Sequence, residues 1–436
     1  LKIDYTYNTT GNADNNGNVL SQTITVPTVG SNNGFVAVQS YSYDPLNRLK
    51  DAVENVTPTG GSSSQSWKQE FSFDRYGNRS FVTGTGHTDT LGSCTTMCNP
   101  TFDATNNRIT SSGFSFDSSG NTTRDAADRK FTYDAENKQT KAETLSAGTN
   151  TVTGTIGEYS YDGDGKRVKK YVPATGETTI FVYDAAGKLI GEYSTIVENS
   201  TNAKVNYLTS DHLGSPRVNT DVTGSVIARH DYYPFGEEIA ATGSRSTTGY
   251  TIDTVRKQFT GYEYDTETGF DDAKARMHVG SMGRFTTPDP YMASAAINTP
   301  QSFNRYTYVL NNPLNLVDPT GMVAEKSNKS GCPEGKVCDE NGNVVEIKDG
   351  VVVAGAVGTV TVEAVKEVIK ETVKETIREP RWYEMWWYYA KKGVTTTGKT
   401  ALTVGKAGGA VITILLNPTP TGCGASPGMK SDGNGG

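Results

Sequence analysis

The sequence predicts a mainly β protein: a curved antiparallel sheet of repeated hairpins, with a small helical segment near the C-terminus. Three observations carry this. First, the pattern F/Y-x-F/Y-D-x-x-G/N-N/K recurs. It begins at Tyr41-Ser-Tyr43-Asp44, Phe71-Ser-Phe73-Asp74, Phe114-Ser-Phe116-Asp117, Phe131-Thr-Tyr133-Asp134, Tyr159-Ser-Tyr161-Asp162 and Phe181-Val-Tyr183-Asp184. Second, hydrophobic residues make up only 35% of the chain, while Gly (47) and Tyr (23) are abundant, which suits a sheet with one solvated face. Third, Val362, Val365, Ile369, Val373 and Ile377 recur at helical spacing before Pro380.

Each element follows from local chemistry. Aromatics two apart lie on one face of a strand, and the Asp with the following Gly or Asn turns the chain. One such hairpin is too small to bury its own aromatic face, so neighbouring hairpins must stack into a continuous sheet. This organisation covers residues 1 to about 205, with an insertion-like stretch at about 84–112. Residues 206–322 remain β-like but carry dense, non-repeating motifs. Residues 323–350 read as a polar linker. Residues 351–436 form a variable C-terminal region with helices: one over 362–379 and a second over about 399–416. Between them lies the aromatic cluster Trp382, Tyr383, Trp386, Trp387, Tyr388 and Tyr389, and residues 426–436 read as disordered. Trp-rich and small apolar sequence over 382–416 suits contact with a membrane surface, although its apolar run is too short to span a bilayer.

A net charge of -7 without a basic run argues against a nucleic-acid partner. Five cysteines allow small loops at Cys94/Cys98 and Cys332/Cys338 and leave Cys423 over. Structural disulfides or free thiols fit better than metal, because no histidine is near and the spacing is not a zinc-knuckle spacing. His212, His230 and His278 read as structural, since no nucleophile motif accompanies them. Asp162-Gly-Asp164-Gly lacks the bidentate Glu of a calcium loop and reads as a hairpin turn. The residues call for no cofactor. The chain opens at Leu1 within repeat-like sequence, so it reads as a piece of a longer protein.

From residue 211 the motifs become specific: Asp211-His-Leu-Gly-Ser-Pro-Arg217, Tyr232-Tyr-Pro-Phe-Gly236, Phe259-Thr-Gly261, Ala275-Arg276, Gly283-Arg-Phe285, Pro288-Asp-Pro290, Asn304-Arg-Tyr306, Asn311-Asn-Pro313 and Asp318-Pro-Thr-Gly-Met322. Together they resemble the repeat-associated core of Rhs/YD-repeat proteins. The resemblance implies a β-shell capped by residues 206–322 and housing the variable C-terminal segment, which in such proteins is often a toxin. It implies a secreted or cell-surface protein whose export signal lies upstream. Its implied partners are its own C-terminal segment, delivery proteins and an immunity protein. A separate reading makes the chain a cell-surface glycan- or cell-binding protein, since Tyr-rich, Asn-rich strands suit sugars.

The resemblance also implies self-cleavage after the Asp-Pro-x-Gly-Met motif, at Met322–Val323. Asp289 and Asp318 are the candidate acids, and Arg276 would orient them. One carboxyl activates water while the other protonates the leaving nitrogen. The alternative reading makes both Asp-Pro steps turn starters and Arg276 a structural ion-pair partner. The chain departs from the family pattern at Asp289-Pro-Tyr-Met292 and at Lys274-Ala-Arg-Met-His278.

Overall fold

In the computed structural model, residues 1–326 are described apart from 9–14, 31, 89–96, 98, 186, 188, 197–205, 247, 252 and 254. Beyond 326, five strands are described. The chain divides into two compact units: residues 1–199 with 206–331, and residues 200–205 with 332–436.

The first unit holds two antiparallel sheets in which every strand pairs with its neighbour in sequence. The first sheet comprises β1 (Lys2–Thr6), β2 (Ser21–Val26), β3 (Phe35–Tyr43), β4 (Leu49–Pro58), β5 (Ser64–Phe73) and β6 (Arg79–Phe81). The second comprises β7 (Ser115–Phe116), β8 (Thr122–Arg124), β9 (Arg129–Tyr133), β10 (Gln139–Leu145), β11 (Val152–Tyr161), β12 (Arg167–Val172), β13 (Glu177–Tyr183) and β14 (Leu189–Ser194).

The repeat motif has a division of labour that the alternation alone does not show. In five of its six copies the first aromatic is buried: Tyr41, Phe71, Phe131, Tyr159 and Phe181; Phe114 is half-buried. The second aromatic is only half-buried, and where it is Tyr its hydroxyl ties one hairpin to the preceding one. Tyr43 Oη donates to Val19 O (2.8 Å), Tyr133 to Thr122 O (2.9 Å), Tyr161 to Gln139 O (2.8 Å) and Tyr183 to Arg167 O (2.9 Å).

The Asp is a backbone organiser. In the turn after β11, Asp162 Oδ1 accepts the N–H groups of Asp164 (3.0 Å) and Lys166 (2.9 Å). The same side-chain bonds, two and four residues on, recur at Asp44, Asp74, Asp134, Asp211 and Asp221. Local bonding by a short carboxylate makes the turn independent of tertiary context. Gly165 and Gly187 have φ of +74° and +78°, the left-handed conformation expected of them.

Residues 206–326 pack against the sheets as a loop-rich core with short strands: β15 (Tyr207–Ser210), β16 (Pro216–Thr220), β17 (Val226–Arg229), β18 (Glu263–Asp265), β19 (Phe270–Asp272), β20 (Met277–Val279), β21 (Arg284–Phe285), β22 (Leu316–Val317) and β23 (Glu325–Lys326). One apolar cluster joins Trp67, Phe71 and Phe81 of the sheet to Tyr233, Phe235, Phe285 and Tyr308 of the core. Another joins Phe131 and Tyr159 to Phe270 and Met277. Buried ion pairs fix the register between the two regions: Arg167 with Asp265 (2.8 Å) and Arg245 with Glu54 (2.7 Å). Such pairs break if one partner is lost, so they specify the docking more than they stabilise it.

In the second unit β24 (Val337–Cys338), β25 (Val344–Lys348) and β26 (Val351–Val353) pair in order, as do β27 (Thr400–Ala407) and β28 (Ala410–Leu416). This corrects two expectations. Within 399–416 the described residues form two antiparallel strands, not a helix: Thr403, Val404, Val411, Ile412, Thr413 and Ile414 are β-branched. The stretch 323–350 is not purely a linker. Residues 325–326 pair with β22, and valine-rich strands follow. The expected helix 362–379, the aromatic cluster 382–389, the expected disorder at 426–436 and the cysteine pairings lie outside the described residues. No helix among the described residues is long and apolar enough to cross a membrane.

Candidate functional site

Asp318 follows β22 and is 2% exposed. Its Oδ1 accepts two backbone N–H groups, from Met322 at 2.9 Å and Val323 at 3.0 Å. Gly321 makes this turn possible. Its φ is +69°, and a Cβ there would fall 2.5 Å from Ala273 O. The hydroxyl of the buried Tyr262 donates to the Asp318 carbonyl.

The other oxygen of Asp318 faces Arg276, which precedes β20. Arg276 Nη2 lies 3.2 Å from Asp318 Oδ2 and 3.5 Å from Asp289 Oδ2. The two acids, 29 residues apart in sequence, thus meet on one nitrogen. Arg276 also donates Nε to Gly321 O and Nη1 to Arg305 O (2.9 Å), and its Cζ stacks 3.6 Å from the Phe285 ring centroid. Burial pushes its guanidinium below the usual arginine value, and the two carboxylates oppose that shift.

Asp289 is held differently. Oδ1 accepts the Tyr291 N–H (2.9 Å), Oδ2 accepts the Ser294 hydroxyl (2.8 Å), and Arg305 Nη1 donates to that same hydroxyl oxygen (2.8 Å). Arg276, Asp289, Asp318, Met322 and Val323 all line one cavity of about 180 Å³, roomy enough for several waters. Val309, Leu310 and Asn311 beside it have φ of +39°, +55° and +61°, a strained left-handed run that a valine rarely enters.

The structure therefore brings together all five residues singled out in the sequence. The two carboxylates share Arg276 Nη2 as a common partner. Each Asp also serves its own turn, as the alternative reading expects. Both features coexist in one buried cluster rather than in two separate surface turns. Tyr262 and Arg305 are additional members that sequence reasoning missed. Arg305 lies within the Asn304-Arg-Tyr306 motif and Tyr262 directly follows Phe259-Thr-Gly261, so their positions were flagged although their roles were not.

The histidines engage in structural contacts. His230 Nδ1 meets Glu238 (2.7 Å) and its Nε2 lies 3.5 Å from Asp253; His278 Nδ1 meets Asp271 (3.0 Å), and His212 Nε2 contacts Leu314 O (2.9 Å). Among the described residues no group of three or more His, Cys, Asp or Glu is arranged to hold a metal ion.

The Teneurin YD-shell family model matches residues 6–314. The chain belongs to the YD-shell family. Among curated proteins it is similar to the tRNA3(Ser)-specific nuclease WapA of Bacillus spizizenii, 29% identical over 272 residues, which are 58% of this chain and 11% of that protein. The tRNA nuclease WapA of Bacillus subtilis is 29% identical over 273 residues, with the same coverage, and salivary gland surface protein 1 of Aedes aegypti is 29% identical over 195 residues, 38% of this chain and 5% of that one. The chain spans about a tenth or less of the length of these relatives. Among solved structures it is similar to the Photorhabdus luminescens Tc holotoxin pore, at 17% identity and a TM-score of 0.42 over 74% of this chain and 15% of that one. The TcdB2-TccC3 structure matches at 17% identity and a TM-score of 0.41, over 73% and 16%. This YD-shell chain thus carries Arg276 and Asp289 inside the matched region and Asp318 just beyond it.

Proposed function

We propose that this chain is the shell and capping core of a toxin-like secreted protein that cuts its own backbone between Met322 and Val323, separating residues 323–436 from the shell. The observation that carries the reading is the 3.0 Å contact between Asp318 Oδ1 and the Val323 nitrogen, the atom that would leave. In this scheme a water in the cavity attacks the Met322 carbonyl carbon and passes a proton to Asp289. Asp318, a carboxylate that accepts the Val323 N–H at rest, takes up a proton from solvent in the cavity and gives it to the Val323 nitrogen as the C–N bond breaks, leaving a carboxylic acid on Met322 and an amine on Val323. Arg276 balances one carboxylate charge and, through Gly321 O, holds the peptide segment in place.

The shell reading stands without the cleavage. Paired aromatic hairpins and a docked core make a scaffold, and the nuclease names of the Bacillus relatives fit a C-terminal effector. Its export, delivery proteins and an immunity protein belong to the same reading; glycan contacts belong to a separate one. Expression of the full chain followed by intact-mass measurement tests the cleavage. A break at Met322–Val323 supports it, and an uncut, folded chain leaves only the scaffold.

A further inference from the structure

The two oxygens of Asp289 are bound by unlike donors. Oδ1 accepts the backbone N–H of Tyr291 (2.9 Å), and Oδ2 accepts the hydroxyl of Ser294 (2.8 Å). Arg276 Nη2, at 3.5 Å from Oδ2, is an ion-pair partner too distant for a good hydrogen bond. A backbone N–H always presents its hydrogen, whereas a hydroxyl turns and either donates or accepts. Oδ2 is therefore the oxygen whose partner tolerates a proton arriving on the carboxylate.

Ser294 has a second acceptor within reach. Its Oγ lies 2.9 Å from Tyr291 O, and its one hydrogen serves either that carbonyl or Asp289. Arg305 Nη1 donates to the same Oγ at 2.8 Å, and a guanidinium has no acceptor, so that contact never reverses. Tyr291 O already accepts Arg305 Nη2 and the Ser294 N–H (3.1 Å). While Asp289 is a carboxylate, the hydroxyl hydrogen belongs on its charged oxygen, where the hydrogen bond is stronger. With a proton on Oδ2, the hydroxyl turns to Tyr291 O, and its two lone pairs accept from Arg305 and from Asp289. Each group keeps a partner in both states.

Apolar packing does not account for this placement. Tyr291 and Met292 before Ser294, and Ile297 and Phe303 after it, are all exposed. Ser294 nevertheless lines the same cavity as Asp289, Met322 and Val323.

Resting on the cleavage proposed at Met322–Val323, we infer that Ser294 is a positioning residue for that reaction. Its hydroxyl, directed by Arg305, donates to Asp289 as a carboxylate and accepts from Asp289 as an acid. The proton passes from the water oxygen to Asp289 Oδ2 as that oxygen bonds to the Met322 carbonyl carbon. The Ser294 O–H bond turns and does not break.

The test is the rate at which newly made full chain is cut, followed by pulse labelling in cell-free synthesis for wild type, Ser294→Thr and Ser294→Val. Threonine and valine share a shape and differ in the hydroxyl, and Ser294 is only half-buried. Ser294→Thr should cut at close to the wild-type rate. Ser294→Val should be slower by about tenfold to a hundredfold, the factor that goes with losing a hydrogen bond to a charged group. Thermal midpoints of the two substitutions, placed in the Asp318→Asn chain, should agree. Equal rates in Ser294→Thr and Ser294→Val, whether both fast or both slow, overturn the role of the hydroxyl. So does a slow Ser294→Val whose midpoint has fallen below that of Ser294→Thr, which marks a structural part only. A wild-type chain that stays uncut removes the cleavage and this role together, whereas a cut wild type with indistinguishable Thr and Val variants removes this role alone.

Discussion

Asp318 Oδ1 accepts the backbone N–H of Val323 at 3.0 Å, so a buried carboxylate rests against the nitrogen that a cut after Met322 would release. The same oxygen takes the Met322 N–H, and the other oxygen shares Arg276 with Asp289. Asp318 is a turn-capping carboxylate here, at the place from which the proposed cleavage would protonate the leaving nitrogen. Substitution separates the two readings.

Arg276 is the keystone of that cluster. Arg276→Met leaves two carboxylates without their shared cation and frees Gly321 O and Arg305 O. Loss of one partner from a buried ion pair typically costs about 3–5 kcal/mol. The expected result is a urea midpoint lowered to match, with cleavage abolished. An unchanged midpoint would mean that the cluster is solvated and not the buried unit described.

The repeat predicts a graded pair of costs. Phe131, 2% exposed, packs against Phe270 with ring centroids 5.5 Å apart. Phe131→Ala should destabilise by about 3–5 kcal/mol. Tyr133→Phe removes only the hydroxyl bond to Thr122 O and should cost about 1 kcal/mol. Equilibrium denaturation of both variants checks the order, which reverses if the second aromatic is the anchor.

His230 gives a pH signature. Burial lowers its pKa, but its contacts with Asp253 and Glu238 outweigh burial and raise it from 6.5 to about 9. A raised folded-state value means that the protonated form is favoured on folding. The associated stability is full below about pH 6.5 and is lost as pH rises through about 9. Its size is of order 1–3 kcal/mol. Unfolding free energies across that window should fall in wild type and stay flatter in His230→Gln. A wild-type curve no steeper than that of the variant contradicts the assignment.

The legible parts of this molecule are those governed by local chemistry. The Asp-x-x-Gly turn could be read because Asp162 bonds its own next residues, and the hairpin order follows from the spacing of those turns. The division between a buried first ring and a bonding second ring could not, since the partner carbonyls of Tyr133 and Tyr161 belong to the preceding hairpin. Arg167–Asp265 and Arg245–Glu54 join residues far apart in sequence, with no local signal for either. The site residues were legible through motifs, while the meeting of both acids on Arg276 is a tertiary fact. The segment 399–416 was misread because a short apolar run fits both periods, and its β-branched residues decided the outcome.

The central claim is most directly tested by the masses of purified full chain and of Asp318→Asn after identical incubation. Asparagine keeps the shape and an acceptor oxygen for the Met322 and Val323 amides but cannot deliver the carboxylic proton. The account predicts that wild type separates into two pieces, the downstream one beginning at Val323, while the folded Asp318→Asn chain stays whole. A wild-type chain that remains intact, or a variant cut equally fast at the same bond, would contradict it.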